Sequence, residues 1–111
     1  LRDDPSVRAE LLQRLAPSLS NGVPQAADVA RDMGMSERTL YRRLAEEGLT
    51  FRDVLTEAQS SLAQELLRDS SSSIAEIAFL TGFSEQSAFS RAFKRWVGLA
   101  PAQFRHQVSP S

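Results

Sequence analysis

The sequence contains no cysteine and only one histidine among its 111 residues. The absence of cysteine excludes disulfide bonds, thiolate zinc sites and cysteine nucleophiles, and it is typical of a reducing cytoplasm. His106 has no second histidine with which to form a metal site, so we interpret it as a surface residue. We predict no bound metal and no cofactor.

The sequence also lacks long apolar runs. None approaches the roughly 20 residues that a membrane-spanning helix needs, and the N-terminal LRDDPSVR is not a signal peptide. Hydrophobic residues still make up 41% of the chain, which is enough for a packed core. We therefore expect a cytoplasmic protein with no membrane partner. The first residue is Leu1 rather than Met, which indicates a fragment of a longer protein.

The usual signs of catalysis are missing as well. The adjacent carboxylates Glu46–Glu47 and Asp3–Asp4 lie on polar faces and do not converge as a catalytic pair. There is no glycine-rich phosphate loop and no arrangement of nucleophile and base. The sequence predicts that the protein is not an enzyme.

The formal net charge is −1, but charge is unevenly distributed along the chain. Residues 84–106 have a local excess of +3, whereas residues 49–83 have a local excess of −3. The overall charge argues against a nucleic-acid partner, and the basic segment argues for one. Charge alone leaves both interpretations open.

Helical periodicity runs through the chain, and no segment alternates as a strand does. The pattern predicts an all-α domain of about seven helices. Asp4 before Pro5 predicts the start of the first helix. Two later helix starts are marked by the spacing of capping boxes, at Thr50–Asp53 and Ser73–Glu76.

Two halves of the chain repeat each other with an offset of 48 residues. In each half a helical segment ends at a glycine, which permits the positive φ of an abrupt helix end, and a serine opens the next helix. Beyond the turn the offset becomes 49, so the second copy has one extra residue near the start of its second helix. The matched pairs are Ala26–Ile74, Val29–Ile77, Ala30–Ala78, Met33–Thr81, Gly34–Gly82, Ser36–Ser84, Leu40–Phe89, Arg42–Arg91 and Leu44–Phe93.

Each copy has the design of a helix-turn-helix, whose second helix enters the major groove of DNA. The segment between the copies, residues 50–69, predicts a helix about 30 Å long. Successive major grooves on one side of a duplex lie about 34 Å apart, so this helix could hold two reading helices in adjacent grooves. The predicted core face of this helix consists of Phe51, Val54, Leu55, Ala58, Leu62 and Leu66.

Residues 6–107 resemble the C-terminal DNA-binding domain of the AraC/XylS family of bacterial transcription regulators. The most specific stretch is IAEIAFLTGFSEQSAFSRAFKRWVGLAPAQFR (74–105), and AADVARDMGMSERTLYRRLAEEG (26–48) matches the more variable first motif. The resemblance implies one domain over residues 1–111, with a first helix-turn-helix subdomain (6–48), a linker helix (50–69) and a second subdomain (73–107).

The resemblance further implies sequence-specific binding to double-stranded promoter DNA. It also implies a separate N-terminal domain, for effector binding or dimerisation, which is absent from this fragment. Any dimerisation would then occur through that missing domain.

The resemblance places Arg38, Tyr41 and Arg42 at base-facing positions of the first reading helix. Arginine can donate two hydrogen bonds to guanine. Arg42 and Arg43 each precede a glutamate by four residues, so a surface ion pair is the alternative interpretation for both. The DNA-binding candidates in this helix are Arg38, Thr39, Tyr41, Arg42 and Arg43.

In the second reading helix, glutamine can pair with adenine, and serine suits either bases or phosphates. We expect Lys94 and Arg95 to face phosphate or solvent rather than bases. We leave open whether Arg91 reads a base, braces the helix or binds the DNA backbone. The candidates here are Gln86, Ser87, Ser90, Arg91, Lys94 and Arg95. Ser36 and Ser84 are predicted N-caps that could also contact phosphate.

The aromatic side chains have helical spacing, so we interpret them as core rather than as a surface for stacking bases. They are Phe79, Phe83, Phe89, Phe93, Trp96 and Phe104. The rival interpretation of the whole chain is a helical protein–protein adaptor. RNA polymerase is a second candidate partner, through the acidic side of the linker helix that carries Glu57 and Glu65.

Overall fold

The computed structural model describes residues 6–108, and this part of the chain is all-α. It contains seven α-helices, one 3₁₀ helix and no strand, so the predicted fold class is confirmed. The predicted start at Asp4–Pro5 lies outside the described residues. The helices are α1 (Val7–Leu15), a 3₁₀ helix (Ala16–Asn21), α2 (Ala26–Asp32), α3 (Glu37–Glu46), α4 (Phe51–Asp69), α5 (Ile74–Leu80), α6 (Gln86–Val97) and α7 (Pro101–Val108).

Local capping signals set most helix starts. Ser6 Oγ accepts a hydrogen bond from the Ala9 amide at 3.0 Å and opens α1. The capping boxes predicted at Thr50–Asp53 and Ser73–Glu76 are both present, and they open α4 and α5. In each box, two side-chain oxygens accept hydrogen bonds from two backbone N–H groups that a helix start otherwise leaves without partners.

Helices α1 to α3 and the first half of α4 enclose one hydrophobic core. Its fully buried side chains include Leu11, Leu15, Leu40 and Leu44, and Val54 joins them from α4. The second half of α4 and helices α5 to α7 enclose another core. Its buried members are Ala63, Leu67, Ile77, Ala78, Phe89, Phe93 and Phe104.

All six residues predicted for the core face of α4 pack against a core: Phe51, Leu55 and Leu62 lie against the first with Val54 and Ala58, and Leu66 lies against the second. The prediction of a single stripe missed that α4 serves two cores. Val54 and Ala58 belong to the first core, whereas Ala63 and Leu67, which the sequence analysis did not select, belong to the second. Five residues separate Ala58 from Ala63, which turns the side-chain direction by about 140° around a helix of 3.6 residues per turn. The two halves of the molecule therefore pack on different sides of the linker helix.

The prediction that Phe79 is a core residue is wrong, because 66% of its surface is exposed. It lies at the end of α5 on the side opposite the buried Ile77 and Ala78. Phe83, Phe89, Phe93 and Phe104 do pack in a chain of ring contacts with centroids 5.3–5.8 Å apart. Trp96 is half-buried and contacts Phe83 and Phe93.

An ion pair between Arg8 and Glu57 connects α1 to α4. The Arg8 guanidinium donates to both carboxylate oxygens of Glu57, with 2.9 Å between Nε and Oε1. This hydrogen bond and the glutamate charge raise the pKa of Arg8. The Val7 amide also donates to Glu47 at 3.0 Å. Glu57 therefore stabilises the contact between two helices and does not form part of a free acidic surface.

No helix within residues 6–108 combines the length and hydrophobicity needed to cross a membrane. In the same range no group of three or more histidine, aspartate or glutamate side chains is arranged to hold a metal ion.

Candidate nucleic-acid interface

Helix α3 has one buried side and one exposed side. Ser36 opens it as predicted, because its hydroxyl oxygen accepts a hydrogen bond from the Thr39 amide at 3.1 Å. Leu40 and Leu44 are fully buried and fix the helix to the first core. Residues two positions from these anchors point away from the core, so Arg38 and Arg42 lie on the exposed side.

Thr39 lies at the edge of this exposed side. Its side chain is half-buried, and its hydroxyl accepts a hydrogen bond from Ser36 Oγ at 3.0 Å. Thr39 therefore completes the N-cap. Of the five candidates in α3, it is the one that the fold turns furthest from the exposed side.

Tyr41 is held by a neighbour in its own helix. Its hydroxyl donates to Glu37 Oε2 at 2.6 Å, and 45% of the residue is exposed. This hydrogen bond, with smaller contributions from burial and from the glutamate charge, raises the pKa of Tyr41. The hydrogen bond therefore orients the phenol toward Glu37 at the start of α3.

Arg42 forms the ion pair that the sequence left as an alternative. Its Nη1 lies 3.2 Å from Glu46 Oε2, and both side chains are well exposed. Exposed pairs of this kind contribute roughly 0–1 kcal/mol, so Arg42 can exchange Glu46 for another acceptor at little cost. Arg43 is exposed as well, and within residues 6–108 it forms no ion pair with Glu47.

The start of α6 differs from the prediction. Ser84 is not the N-cap, because α6 begins at Gln86 and Glu85 takes the cap position without a side-chain hydrogen bond. Glu85 is the extra residue that the change of offset from 48 to 49 revealed. It moves the second helix one position away from Ser84, so that Gln86 matches Glu37 as the first helical residue.

The exposed side of α6 carries only basic charges. Phe89, Ala92 and Phe93 are buried, and the helix contains three basic residues and no acidic one. Helix α3 has three basic and two acidic residues. The exposed candidates of α6 are Gln86, Ser87, Arg91, Lys94 and Arg95, and Ser90 is half-buried.

Arg91 and Arg42 occupy equivalent places in the two copies. Each is the sixth residue of its helix and lies two residues before a buried anchor, Leu44 after Arg42 and Phe93 after Arg91. The fold thus brings the two arginines to matching exposed positions, as the repeat predicted.

Two basic residues outside the predicted set change the charge pattern. Arg105, which added to the basic excess of residues 84–106, is half-buried and donates to the carbonyls of Leu66, Leu67 and Ser70 at the end of α4, at 3.1–3.4 Å. Its charge therefore caps a helix. Arg52 lies with Arg95 along a cleft of about 350 Å³ between α4 and α6. Only the packing of α4 against α6 reveals that these two arginines line the same cleft.

Comparison with known proteins identifies the family. A family model described as a helix-turn-helix domain matches residues 29–107. An HTH-type transcriptional regulator of Mycobacterium tuberculosis, Rv1395, is 47% identical over 81 residues, which is 73% of this chain and 24% of that protein. The chain belongs to the AraC/XylS family.

Solved structures share this AraC-type fold. An AraC-type regulator from Chromobacterium violaceum superimposes with a TM-score of 0.81 over 91% of this chain and 90% of its own, at 24% identity, which shows the fold alone. The DNA-binding domain of AdpA, determined in complex with a target DNA, has a TM-score of 0.76 over 93% of each chain at 28% identity. The chain spans about a quarter of the length of the curated relatives it matches.

Proposed function

We propose that this AraC-type domain binds double-stranded DNA sequence-specifically, with α3 and α6 in adjacent major grooves, and that it regulates transcription initiation at bacterial promoters. The observation that carries the proposal is the pair of equivalent exposed arginines, Arg42 and Arg91, on two copies of one motif joined by a single helix. A helical adaptor has no need to repeat an arginine in phase on two motifs.

The dimensions of the molecule support the proposal. Helix α4 has 19 residues and is therefore about 28 Å long, and the molecule measures 44 Å along its longest axis. Both values suit two reading helices that engage grooves about 34 Å apart. The AdpA domain, which has a closely similar fold, was crystallised on its target DNA.

The two helices are proposed to do different work. Arg38, Tyr41 and Arg42 are assigned to base edges, since α3 carries compensating glutamates and less net positive charge. In α6 the wholly basic surface favours phosphate contacts by Lys94 and Arg95, with Arg52 on the opposite wall of the same cleft. We assign the remaining candidates, including Ser36 and Ser84, to contacts with either the bases or the DNA backbone, depending on where each side chain lies in the major groove.

Salt dependence tests whether the chain binds DNA through phosphates. Several phosphate contacts should weaken binding to generic duplex DNA by about 10³-fold between 50 and 200 mM salt. Binding that does not change with salt, or no binding at 50 mM, would favour the adaptor interpretation instead.

Arginine substitutions test the assigned roles. Arg42→Ala should cost roughly 1–3 kcal/mol on a selected site and relax selectivity within one half-site. Arg14→Ala is the matched control, because Arg14 also forms an exposed i,i+4 ion pair, with Glu10 at 3.7 Å, and it lies in α1 outside both reading helices. An equal loss on every DNA sequence would show that Arg42 touches only phosphate.

The proposal for the whole protein goes further. We propose that a longer polypeptide, acting in the cytoplasm, joins this domain to a second domain for effector binding or dimerisation, and that RNA polymerase is a partner. For the polymerase contact, Glu65 is the better probe, since Glu57 is engaged by Arg8. Glu65→Lys should lower activation without lowering DNA occupancy, and unchanged activation would remove this contact.

A further inference from the structure

The described part of the chain buries only two polar side chains, Gln59 and Thr81. The side chain of Gln59 contacts the backbone of Thr81. Gln59, in the middle of α4, donates from Nε2 to the Thr81 carbonyl oxygen at 3.0 Å. The Thr81 hydroxyl donates back into α5, toward the carbonyls of Ile77 and Ala78 at 2.8 and 3.0 Å. The amide of Gln59 thus joins the linker helix to the turn of the second helix-turn-helix.

A third segment of the chain also lies at the contact between Gln59 and Thr81, which we call the joint. A Cβ atom added to Gly82, the residue after Thr81, would lie 3.3 Å from Val23 Cγ2, 3.4 Å from the Leu19 carbonyl oxygen and 3.5 Å from Gln59 Nε2. Leu19 and Val23 belong to the first half of the molecule, between α1 and α2. The second turn is therefore seated in a notch formed by the linker and by the first half.

The first turn, at Gly34, makes no equivalent contact. A Cβ atom added to Gly34, the equivalent of Gly82, would have no neighbour within 4 Å. The tight contact at Gly82 is therefore not a requirement of the helix-turn-helix itself. It is a contact of the second turn with the linker helix and with the segment between α1 and α2.

The position of Gln59 along α4 explains why this contact matters. Val54, Ala58 and Leu62 pack against the first core, and Ala63, Leu66 and Leu67 pack against the second. Gln59 lies in the part of α4 where the two packing faces meet, and its bond to Thr81 together with the contacts of Gly82 restrains rotation of one half relative to the other.

We propose that Gln59 is a positioning residue, which fixes the orientation of α6 relative to α3 and so sets the one half-site spacing that the domain accepts. The inference rests on the proposed function, in which both helices read DNA. One additional base pair moves a half-site by about 3.4 Å along the axis and by roughly 35° around it. A rigid joint cannot follow that movement, whereas a loosened joint can.

The test compares Gln59→Met with wild type and with Gln64→Met. Methionine keeps the volume of Gln59 and removes the donor to Thr81. Gln64 is the matched control, because it is half-buried on the same helix and bonds only to Ser60, within α4. Sites are selected from a random duplex library with each protein, and affinity is then measured on the selected site with and without one inserted base pair.

Wild type and Gln64→Met should select one spacing, and the insertion should cost them roughly 100-fold or more, since it removes one of two linked contacts. Gln59→Met should select the same half-site sequences at two or more spacings and lose less than about 10-fold on insertion. Gln59→Met with a single spacing and the full wild-type loss would overturn the role of Gln59.

Two further outcomes keep the failures distinct. If wild type selects a single half-site, the proposed two-groove function is wrong, whatever Gln59 does. If Gln59→Met does not fold, Gln59→Asn replaces it, because the shorter side chain keeps the amide but is too short to reach the Thr81 carbonyl. Relaxed spacing in Gln59→Asn supports the proposal, and wild-type spacing with the full loss on insertion overturns it.

Discussion

Two exposed side chains on α3 are held by hydrogen bonds within their own helix. Arg42 and Tyr41 are exposed, and each is held by a glutamate four residues away in the same helix, Glu46 and Glu37. An exposed ion pair contributes roughly 0–1 kcal/mol, and a bidentate contact to the correct base is worth about 1–3 kcal/mol. Under the proposed function, exchange of Glu46 for guanine would be favourable at the correct sequence, and the glutamates would reduce the attraction of α3 to phosphate in general.

The tyrosine offers a direct measurement at this scale, because Tyr41 is the only tyrosine in the chain. Its raised folded-state pKa means that the hydrogen bond to Glu37 stabilises the fold below the unfolded pKa of about 10 and is lost as pH rises through the folded pKa. Glu37→Gln should lower the pKa of Tyr41 toward its ordinary value in an ultraviolet titration. Glu47→Gln is the control, and an unchanged titration in Glu37→Gln would show that the bond does not form in solution.

At the scale of elements, the sequence predicts what depends on neighbouring residues and misses what depends on packing. The capping boxes at Thr50 and Ser73 and the cap at Ser36 follow from local spacing, and all are present. The cap at Ser84 fails because one inserted residue, Glu85, shifts α6. Phe79 is a miss of another kind, because it lies off the apolar face that Ile74, Ile77 and Ala78 form at helical spacing.

Helices α3 and α6 show the same division between features that follow from local spacing and features that depend on packing. The repeat correctly predicted matching exposed positions for Arg42 and Arg91, because both lie at fixed distances from apolar anchors. Three features depend instead on residues more than 20 positions apart. Arg52 and Arg95 line one cleft, Arg105 caps α4, and Gln59 is buried against Thr81. A periodicity read within one helix contains no information about such contacts.

The two turns give the prediction at this scale. Gly34 and Gly82 both have positive φ, 76° and 96°, so alanine at either position should destabilise the fold by about 1–2 kcal/mol. Gly82→Ala should cost about 1 kcal/mol more, because its Cβ would lie 3.3 Å from Val23 Cγ2, which would have to shift, whereas Gly34→Ala meets open space. Urea denaturation of the two variants measures the difference, and equal losses would mean that the second turn is not tightly seated.

The whole molecule has two hydrophobic cores that share α4, which raises the question of whether they unfold together. Val54 and Ala58 belong to one core, Ala63 and Leu67 to the other, and the helix between them is continuous. Unfolding either core would expose one face of α4 and remove the joint at Gln59. A shared helix and a buried joint therefore favour a single cooperative transition, as expected for a domain of this size.

Trp96 makes this testable, because it is the only tryptophan and contacts Phe83 and Phe93 of the second core. Leu44→Ala removes a fully buried side chain from the first core and should cost about 2–5 kcal/mol. If the cores unfold as one, the midpoint of Trp96 fluorescence in urea should fall by the same amount as the midpoint of helical circular dichroism. Leu80→Ala, at a residue that is 37% exposed, should move both midpoints much less. A Trp96 transition that stays at its wild-type midpoint in Leu44→Ala would show that the two halves fold independently. In that case α4 alone would not hold the two reading helices in a fixed relation.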